Sequence, residues 1–275
     1  MTLPEAVILG IVQGLTEPLP VSSSGHLVIL PALFPGFAQP GIFFDLVLHL
    51  GTLAGVVFFL RREIAAILAS LIPGLFPAAF SHAADARDRA SGRKMALLIV
   101  IATGVTGVIG VLFKDPIERL FESVEITAGM LLVTGLLLFL SDRVRHGERR
   151  DLNWKDGILL GLVQAAALIP GISRSGSTIA FGIFRGMERR TAARFSFLIS
   201  IPAILGAVLL KAGDPAQMAA GDLPALGAGF LSAAITGFLA LKILFAVIQR
   251  TGLGVFAYYC WAVGIAALIA RGMQT

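Results

Sequence analysis

The sequence predicts an all-α integral membrane protein with about six transmembrane helices and two re-entrant helical hairpins. Of its 275 residues, 56% are hydrophobic and 14% are charged, whereas roughly 25% are charged in soluble domains. Several apolar runs approach the ~20 residues that cross a bilayer as a helix. A polar, helix-breaking segment near position 20 also recurs 151 positions later without a gap. Such a pair of segments is typical of membrane proteins built from two related halves.

Six apolar runs are long enough to be full transmembrane spans. They lie at 43–60, 94–113, 124–141, 192–211, 225–248 and 254–270. An earlier apolar run at 3–12 is shorter and stops at polar residues, and no small-x-small cleavage pattern follows it, so we do not expect a cleaved signal peptide. The Ala-rich, charged stretch at 81–93 is expected to be a cytoplasmic loop.

The distribution of basic residues predicts the orientation, because cytoplasmic loops of membrane proteins collect Lys and Arg. If the span 43–60 runs inward, 17 Lys and Arg residues lie on the inner side and 4 on the outer side, and Arg174 lies within the repeated segment. Both termini are therefore expected to face outward. The net charge of +5 then reflects contact with anionic membrane lipids, and nucleic acid is not an expected partner.

The two polar segments align residue by residue. The matching pairs are Gly10 with Gly161, Gln13 with Gln164, Ser22 with Ser173, Ser24 with Ser175, and Gly25 with Gly176. Three spans separate the copies, so the second copy is predicted to be inverted in the membrane.

Prolines and glycines exclude an ordinary helical span in either copy. We therefore predict re-entrant hairpins at about 4–35 and 155–187, with tips that meet near the membrane midplane. The chain is then a single membrane domain, 1–275, made of the inverted repeats 1–142 and 152–275.

Arg174 is the clearest functional candidate, because an ionisable side chain within a membrane is costly. Its guanidinium stays charged and presents a planar fork of donors that suits phosphate. A Ser/Gly-rich break before a helix start also exposes backbone N–H groups to an anion. Hydroxyl side chains that could join this phosphate site are Ser173, Ser175, Ser177 and Thr178. The alternative is an arginine that only ties the two hairpins together by capping carbonyl groups.

Glu17 and Gln13 are four residues apart and share a helix face. Glu17 could bind a divalent cation, with Gln13 as a neutral oxygen ligand, because Mg²⁺ is commonly held by one or two carboxylates together with substrate phosphates. Ca²⁺ is an alternative ion. A structural ion pair between Glu17 and Arg174 is the competing interpretation.

Ser22, Ser23, Ser24 and His26 bring hydroxyls and an imidazole to the first helix break. A hydroxyl becomes a competent nucleophile when a base lies within hydrogen-bonding distance. His26 could be that base, or it could attack phosphorus itself. Ser22 and Ser24 could contact phosphate. Asp45 and His49 are also four residues apart, and they could line the same cavity or pair with each other.

These residues together suit phosphoryl transfer, where positioning and charge neutralisation supply most of the catalysis. The apolar surroundings suit a substrate with a lipid tail. A transporter or lipid flippase is the main alternative, because inverted repeats with broken helices are common in such proteins.

Four segments resemble the undecaprenyl-pyrophosphate phosphatase (BacA/UppP) family. They are 14–26, 44–52, 170–178 and 188–198. Two positions depart from the family pattern, since Gln13 stands where many members have Glu and Pro18 stands where an aromatic residue is usual. The type-2 phosphatidic acid phosphatases share Ser-Gly-His and Ser-Arg elements, but their Lys-x6-Arg-Pro motif is absent from this sequence.

The resemblance implies hydrolysis of undecaprenyl diphosphate to the monophosphate at the outer face of the bacterial inner membrane. It implies that the reaction recycles the lipid carrier for peptidoglycan synthesis and that overproduction confers bacitracin resistance. It also implies a divalent cation. The positions that match the family's motifs are Gln13, Glu17, Ser22, Ser23, His26, Ser173, Arg174 and Thr178. We hypothesise that Ser23 attacks the terminal phosphorus with His26 or Glu17 assisting proton transfer, and that Arg174 and a cation bound to Glu17 neutralise the phosphate charge. A homodimer is compatible with these expectations.

Overall fold

The computed structural model describes residues 2–33, 42–72, 86–144, 147–211 and 223–273. These residues form twelve α-helices, and their β pairing is confined to one isolated bridge between Arg149 and Met187. The predicted all-α class is therefore confirmed. The first six helices are α1 (Leu3–Thr16), α2 (Ser23–Leu33), α3 (Ile42–Phe59), α4 (Arg61–Leu71), α5 (Ala86–Leu112) and α6 (Lys114–Leu120). The other six are α7 (Val124–Arg143), α8 (Trp154–Ala166), α9 (Arg174–Phe184), α10 (Arg189–Lys211), α11 (Leu223–Arg250) and α12 (Gly254–Gly272).

The predicted spans match long apolar helices. By length and composition, α5, α7, α10, α11 and α12 can each cross a membrane. A sixth span comes from α3 and α4, which are bent by 77° at their junction. The bend comes where the apolar run ends and Arg61 and Arg62 begin, so the chain turns at the point where charged side chains need water.

Helix α5 starts earlier than the sequence predicts. Residues 86–93 belong to this helix, so the expected loop at 81–93 is wrong for that part. Ala and Arg have high helix propensity, and a helix that is already nucleated in the apolar run extends through them at little cost. Residues 81–85 lie outside the described residues.

Two pairs of short helices correspond to the predicted hairpins. The segment 17–22 separates α1 from α2, and the segment 167–173 separates α8 from α9. The breaks contain Pro18, Pro20 and Pro170, whose rings remove backbone donors and clash with the preceding turn. Of the first predicted hairpin, residues 34–35 lie outside the described residues.

The helices exchange packing partners between the two halves. Helix α1 of the first half packs on α11 of the second, and α8 of the second packs on α5 of the first. Thr236 of α11 donates to the carbonyl of Gly10 at 3.5 Å, and Thr106 of α5 donates to the carbonyl of Gly161 at 3.0 Å. Gly10 and Gly161 are aligned positions of the repeat. This exchange is what a duplicated fold produces, while the division into 1–142 and 152–275 and the inversion stay predictions.

A buried carboxylate fixes the start of the second hairpin. The Asp156 side chain is fully buried and accepts two hydrogen bonds from the Arg149 guanidinium, at 2.6 and 3.0 Å. Arg185 donates a third at 3.3 Å. Burial alone raises the pKa of Asp156, but the hydrogen bonds from Arg149 and from the Asn153 backbone outweigh it and hold the pKa below its usual range. The carboxylate thus stays charged and joins the loop before α8 to the end of α9.

Candidate active site

The tips of the two helix pairs meet, as the sequence predicts. Arg174, the first residue of α9, forms an ion pair with Glu17, which caps the end of α1. The Ser175 hydroxyl donates to the carbonyl of Leu19 at 3.3 Å. Only 10% of the Glu17 side chain and 16% of the Arg174 side chain are exposed, so this ion pair is largely shielded from solvent.

The two tips share the same capping hydrogen bond, although their backbones differ at the capping serine. The Ser22 hydroxyl accepts from the Gly25 amide at 3.2 Å, and the Ser173 hydroxyl accepts from the Gly176 amide at 3.1 Å. Ser22 needs a left-handed backbone, with φ of 64°, at a cost of about 1–2 kcal/mol for a residue other than glycine. Both turns thereby direct a helix N-terminus, with its free amides and positive dipole end, toward the region between the tips.

The Glu17 carboxylate is the centre of the polar contacts. One oxygen faces Arg174. The other oxygen accepts from the Ser23 hydroxyl at 2.5 Å and from the Gln13 amide nitrogen at 3.3 Å. Nε2 of His49 on α3 lies 3.7 Å from the same oxygen. Glu17 therefore holds Ser23, one serine of the predicted set, within reach for proton transfer.

His26 faces away from Ser23. Its Nδ1 lies 2.7 Å from the Ser22 carbonyl, and its Nε2 lies 2.7 Å from the hydroxyl of Tyr259 on α12. Because a carbonyl can only accept, Nδ1 carries the proton and Nε2 accepts from Tyr259. Both ring nitrogens are thus engaged by groups other than Ser23.

Side chains of α7 and α12 support the two turns. The Thr134 hydroxyl donates to the Gly171 carbonyl at 2.9 Å and accepts from the Ser173 amide at 3.0 Å. The buried Cys260 thiol lies 3.6 Å from the Pro20 carbonyl. Sequence reasoning missed Thr134 and Tyr259, because a hydroxyl within an apolar span carries no local signal of its distant partner.

Gly171 is the position where the second turn has no room for a side chain. Its φ is 90°, and a Cβ atom there would lie 2.9 Å from the Met130 Cβ and 3.0 Å from the Leu131 amide of α7. We expect Gly171→Ala to destabilise the protein by at least about 2 kcal/mol, through backbone strain and overpacking together. Thermal unfolding of the purified variant in detergent measures this loss.

Gly186 provides the matched control for Gly171. Its φ is 75°, but a Cβ atom there would meet no atom within 4 Å. Gly186→Ala should therefore show backbone strain alone, about 1–2 kcal/mol. Equal losses in the two variants would contradict the close approach of Gly171 to α7.

Comparison with known proteins identifies the family. A family model described as "Bacitracin resistance protein BacA" matches residues 6–266. The chain belongs to the BacA family.

Its similarity to curated relatives extends over nearly the full length. A protein of Desulfosudis oleivorans is 44% identical over 263 residues, which cover 94% of this chain and 95% of the relative. A protein of Alkaliphilus metalliredigens is 42% identical over 275 residues, covering 96% and 97%. Both relatives carry the name "Undecaprenyl-diphosphatase".

Of the six hydroxyls predicted to bind phosphate in this BacA family member, four form hydrogen bonds to backbone groups of the protein. Ser22 and Ser173 cap helices, Ser175 bonds to Leu19, and the buried Thr178 hydroxyl bonds to the Arg174 carbonyl at 2.7 Å and to Ser196 at 2.5 Å. These groups already have protein partners, so their contact with phosphate stays a prediction.

Other polar groups of the tips have capacity to bind a ligand. Among the described residues, the Ser24 hydroxyl is hydrogen-bonded to the Ser22 hydroxyl alone, at 3.3 Å, and it is half-buried. Within the described residues, the Ser177 hydroxyl and Nη1 of Arg174 are buried without any hydrogen-bond partner. A buried guanidinium nitrogen left unpaired is costly, and an anion between the tips would satisfy it.

The predicted metal ligands are hydrogen-bonded to each other and to neighbouring side chains. Among the described residues, no group of three or more His, Cys, Asp or Glu side chains is placed to hold a metal ion. Both oxygens of Glu17 accept hydrogen bonds, and Gln13 turns its amide nitrogen toward them. A Mg²⁺ ion held by Glu17 together with substrate phosphates therefore stays a prediction.

Proposed function

We propose that this protein hydrolyses undecaprenyl diphosphate to undecaprenyl phosphate and inorganic phosphate. The names of its relatives supply the reaction, and their similarity covers the whole described site. The observation that carries the proposal is the arrangement of Ser23, Glu17 and Arg174. The Ser23 hydroxyl at the start of α2, the Arg174 guanidinium at the start of α9 and the Glu17 carboxylate at the end of α1 lie together, and one guanidinium nitrogen has no partner among the described residues.

Ser23 is the proposed nucleophile. Its Oγ attacks the terminal phosphorus, so that an Oγ–P bond forms while the bond from that phosphorus to the bridging oxygen breaks. The hydroxyl proton passes to Glu17, which already accepts it at 2.5 Å. Undecaprenyl phosphate leaves with the bridging oxygen. Water then attacks the phosphoserine, releases inorganic phosphate and restores the hydroxyl, with Glu17 as the proton carrier.

Arg174 and the two helix starts neutralise the phosphate charge. Metaphosphate-like transition states spread negative charge over the equatorial oxygens, and fixed donors stabilise that charge. Nη1 of Arg174 supplies a donor that has no partner in the part of the chain that the structure describes. The first-turn amides of α2 and α9 add positive dipole ends from the same two tips. The ion pair to Glu17 keeps the guanidinium oriented before substrate arrives.

His26 is the alternative nucleophile or base. For either role its ring must first break the hydrogen bond to Tyr259 or to the Ser22 carbonyl. The present geometry favours a positioning role, in which His26 holds the Ser22 turn through its Nδ1–H group. His49, 3.7 Å from Glu17, is better placed to exchange a proton with that carboxylate.

A divalent cation, Mg²⁺ or Ca²⁺, is part of the proposal. Glu17 would hold it together with the diphosphate, and Gln13 would contribute its amide oxygen. When bound, the cation would neutralise charge on the diphosphate. Gln13 is buried beside Glu17, which is where a neutral oxygen ligand is needed.

We further infer the cellular setting. The protein would lie in the bacterial inner membrane with its site open to the periplasmic face, would recycle the lipid carrier for cell-wall synthesis, and would confer bacitracin resistance when overproduced. The excess of basic residues on one side supports the orientation. Self-association as a homodimer is compatible with this setting.

Phosphate release by the purified protein tests the proposal. In detergent micelles with Mg²⁺, we expect hydrolysis of undecaprenyl diphosphate with a turnover of at least about 1 s⁻¹. A transporter or flippase needs sealed vesicles to act, whereas a phosphatase does not. If phosphate is not released in micelles, but the labelled lipid crosses the bilayer of proteoliposomes, the transport alternative would replace this proposal.

A further inference from the structure

A second basic site lies at the end of the helix bundle where many arginines collect. Its cavity has a volume of about 550 Å³ and lies among α3, α4, α10 and α11. Four arginines and a single glutamate supply its charged lining, which therefore has a net charge of +3. They are Arg61, Arg62, Arg190, Arg194 and Glu63. Phe59 and Phe245 form an apolar wall, with ring centroids 5.1 Å apart.

Two of the four arginines have no partner among the described residues. Arg61 donates to the Phe58 carbonyl at 2.8 Å, and Arg194 pairs with Glu63 at 3.3 Å. Arg62 and Arg190 form neither an ion pair nor a hydrogen bond within the part of the chain that the structure describes. Their guanidinium groups are exposed and available to a ligand.

The arginines also oppose the local helix dipoles. Arg61 and Arg62 are the first residues of α4, and Arg190 is in the first turn of α10, which has no acidic residue there. Positive side chains near a helix N-terminus are unfavourable, whereas an anion there is favourable. Leu60 caps α4 without a side-chain hydrogen bond, and Glu63 is the acidic residue of the first turn. The cap side chain therefore leaves the first-turn amides of α4 open to a ligand. A phosphate in the cavity would satisfy the amides and the arginines together.

We propose that this cavity binds the headgroup of an anionic phospholipid. Arg62, Arg190 and the start of α4 would hold the phosphate, and the Phe59–Phe245 wall would contact the first carbons of the acyl chains. The cavity lies where the spans α3, α10 and α11 end or begin, which is the level of lipid headgroups. Basic pockets between helices at this level are suited to anionic lipid.

The cavity is separate from the site at the hairpin tips. His49 and Phe59 are ten residues apart on α3, which corresponds to ~15 Å along the helix. The lipid would therefore act as a structural ligand that joins the α3–α4 bend to α10 and α11. This inference does not depend on the proposed hydrolysis.

Lipid binding to the purified protein tests the site. The probe is phosphatidylglycerol, with phosphatidylcholine as the neutral comparison, added to the delipidated protein in micelles and counted by native mass spectrometry. We expect one phosphatidylglycerol to bind preferentially. Replacing Arg62 and Arg190 together by glutamine should weaken that binding at least tenfold. If the pair does not fold, the single variants carry the test, and at least one should weaken binding at least threefold.

The matched control is Arg143→Gln with Lys155→Gln, which removes the same charge from the same end of the bundle. Both side chains are exposed and lie outside the cavity, so the affinity should stay within twofold. Equal weakening by the control pair, equal binding of phosphatidylcholine, or no loss in the cavity variants would overturn the proposal. Competition by inorganic phosphate as strong as that by phosphatidylglycerol would overturn the requirement for a lipid.

Discussion

Ser23→Ala is expected to lower kcat for diphosphate hydrolysis by at least about 10⁴-fold, as loss of a nucleophile does in other hydrolases. The alanine removes the hydroxyl that Glu17 holds at 2.5 Å and leaves the rest of the tip unchanged. Steady-state phosphate release measures the loss. Acid quenching during turnover of the unmodified protein should also trap phosphate on Ser23, which peptide mass spectrometry detects.

Thr16→Val is the matched control for loss of a hydroxyl. Thr16 precedes Glu17, and its hydroxyl donates to the Val12 carbonyl of its own helix at 2.8 Å. The kcat of the Thr16→Val variant should stay within about threefold of wild type, because this hydrogen bond is local to α1. If Ser23→Ala kept near-normal turnover while His26→Ala abolished it, the nucleophile would be His26.

The sequence predicts the parts of this fold that depend on local chemistry. Five of the six apolar runs contribute a helix that can cross a membrane by itself, and the sixth forms α3, which reaches that length only together with α4 across the 77° bend. Both predicted helix breaks occur at their prolines, and Gly171 lies in the second break, because proline cannot continue the helical hydrogen bonding. Gly25 and Gly176 were also expected to break the helices, but they lie within α2 and α9. The ion pair between Glu17 and Arg174 is one of the alternatives that the sequence predicts, since two opposite charges in an apolar chain have few other partners.

Contacts that depend on how helices pack were not predictable. His26 meets Tyr259 from 233 positions away, and nothing near either residue indicates the other. The 77° bend between α3 and α4 lies at Leu60, where the chain has neither a proline nor a glycine to indicate it. The placement of His49 beside Glu17 needs the relative rotation of α1 and α3, which hydrophobic periodicity does not define.

Breaking the Glu17–Arg174 ion pair is the second test with a large expected effect. Arg174→Gln should lower kcat/KM at least about 10³-fold, in the range seen when an arginine that stabilises phosphoryl transfer is removed. Glu17→Gln should cause a similar loss, because Ser23 then loses its proton acceptor. Each single variant should also unfold at a lower temperature, since removing one partner of a shielded pair costs about 3–5 kcal/mol.

The double variant Glu17→Gln with Arg174→Gln distinguishes a catalytic pair from a structural one. With both charges gone, no uncompensated charge remains between the tips, and the unfolding temperature should return most of the way to that of wild type. Activity should stay at least 10³-fold down, because the phosphate donor and the proton acceptor are both missing. The exposed ion pair Glu125–Arg271 is the control. Replacing both of its residues by glutamine, singly and together, should change the free energy of unfolding by less than about 1 kcal/mol. A double variant that regained turnover together with stability would mean that Arg174 only joins the hairpins, and phosphate binding would then have to be assigned to other residues.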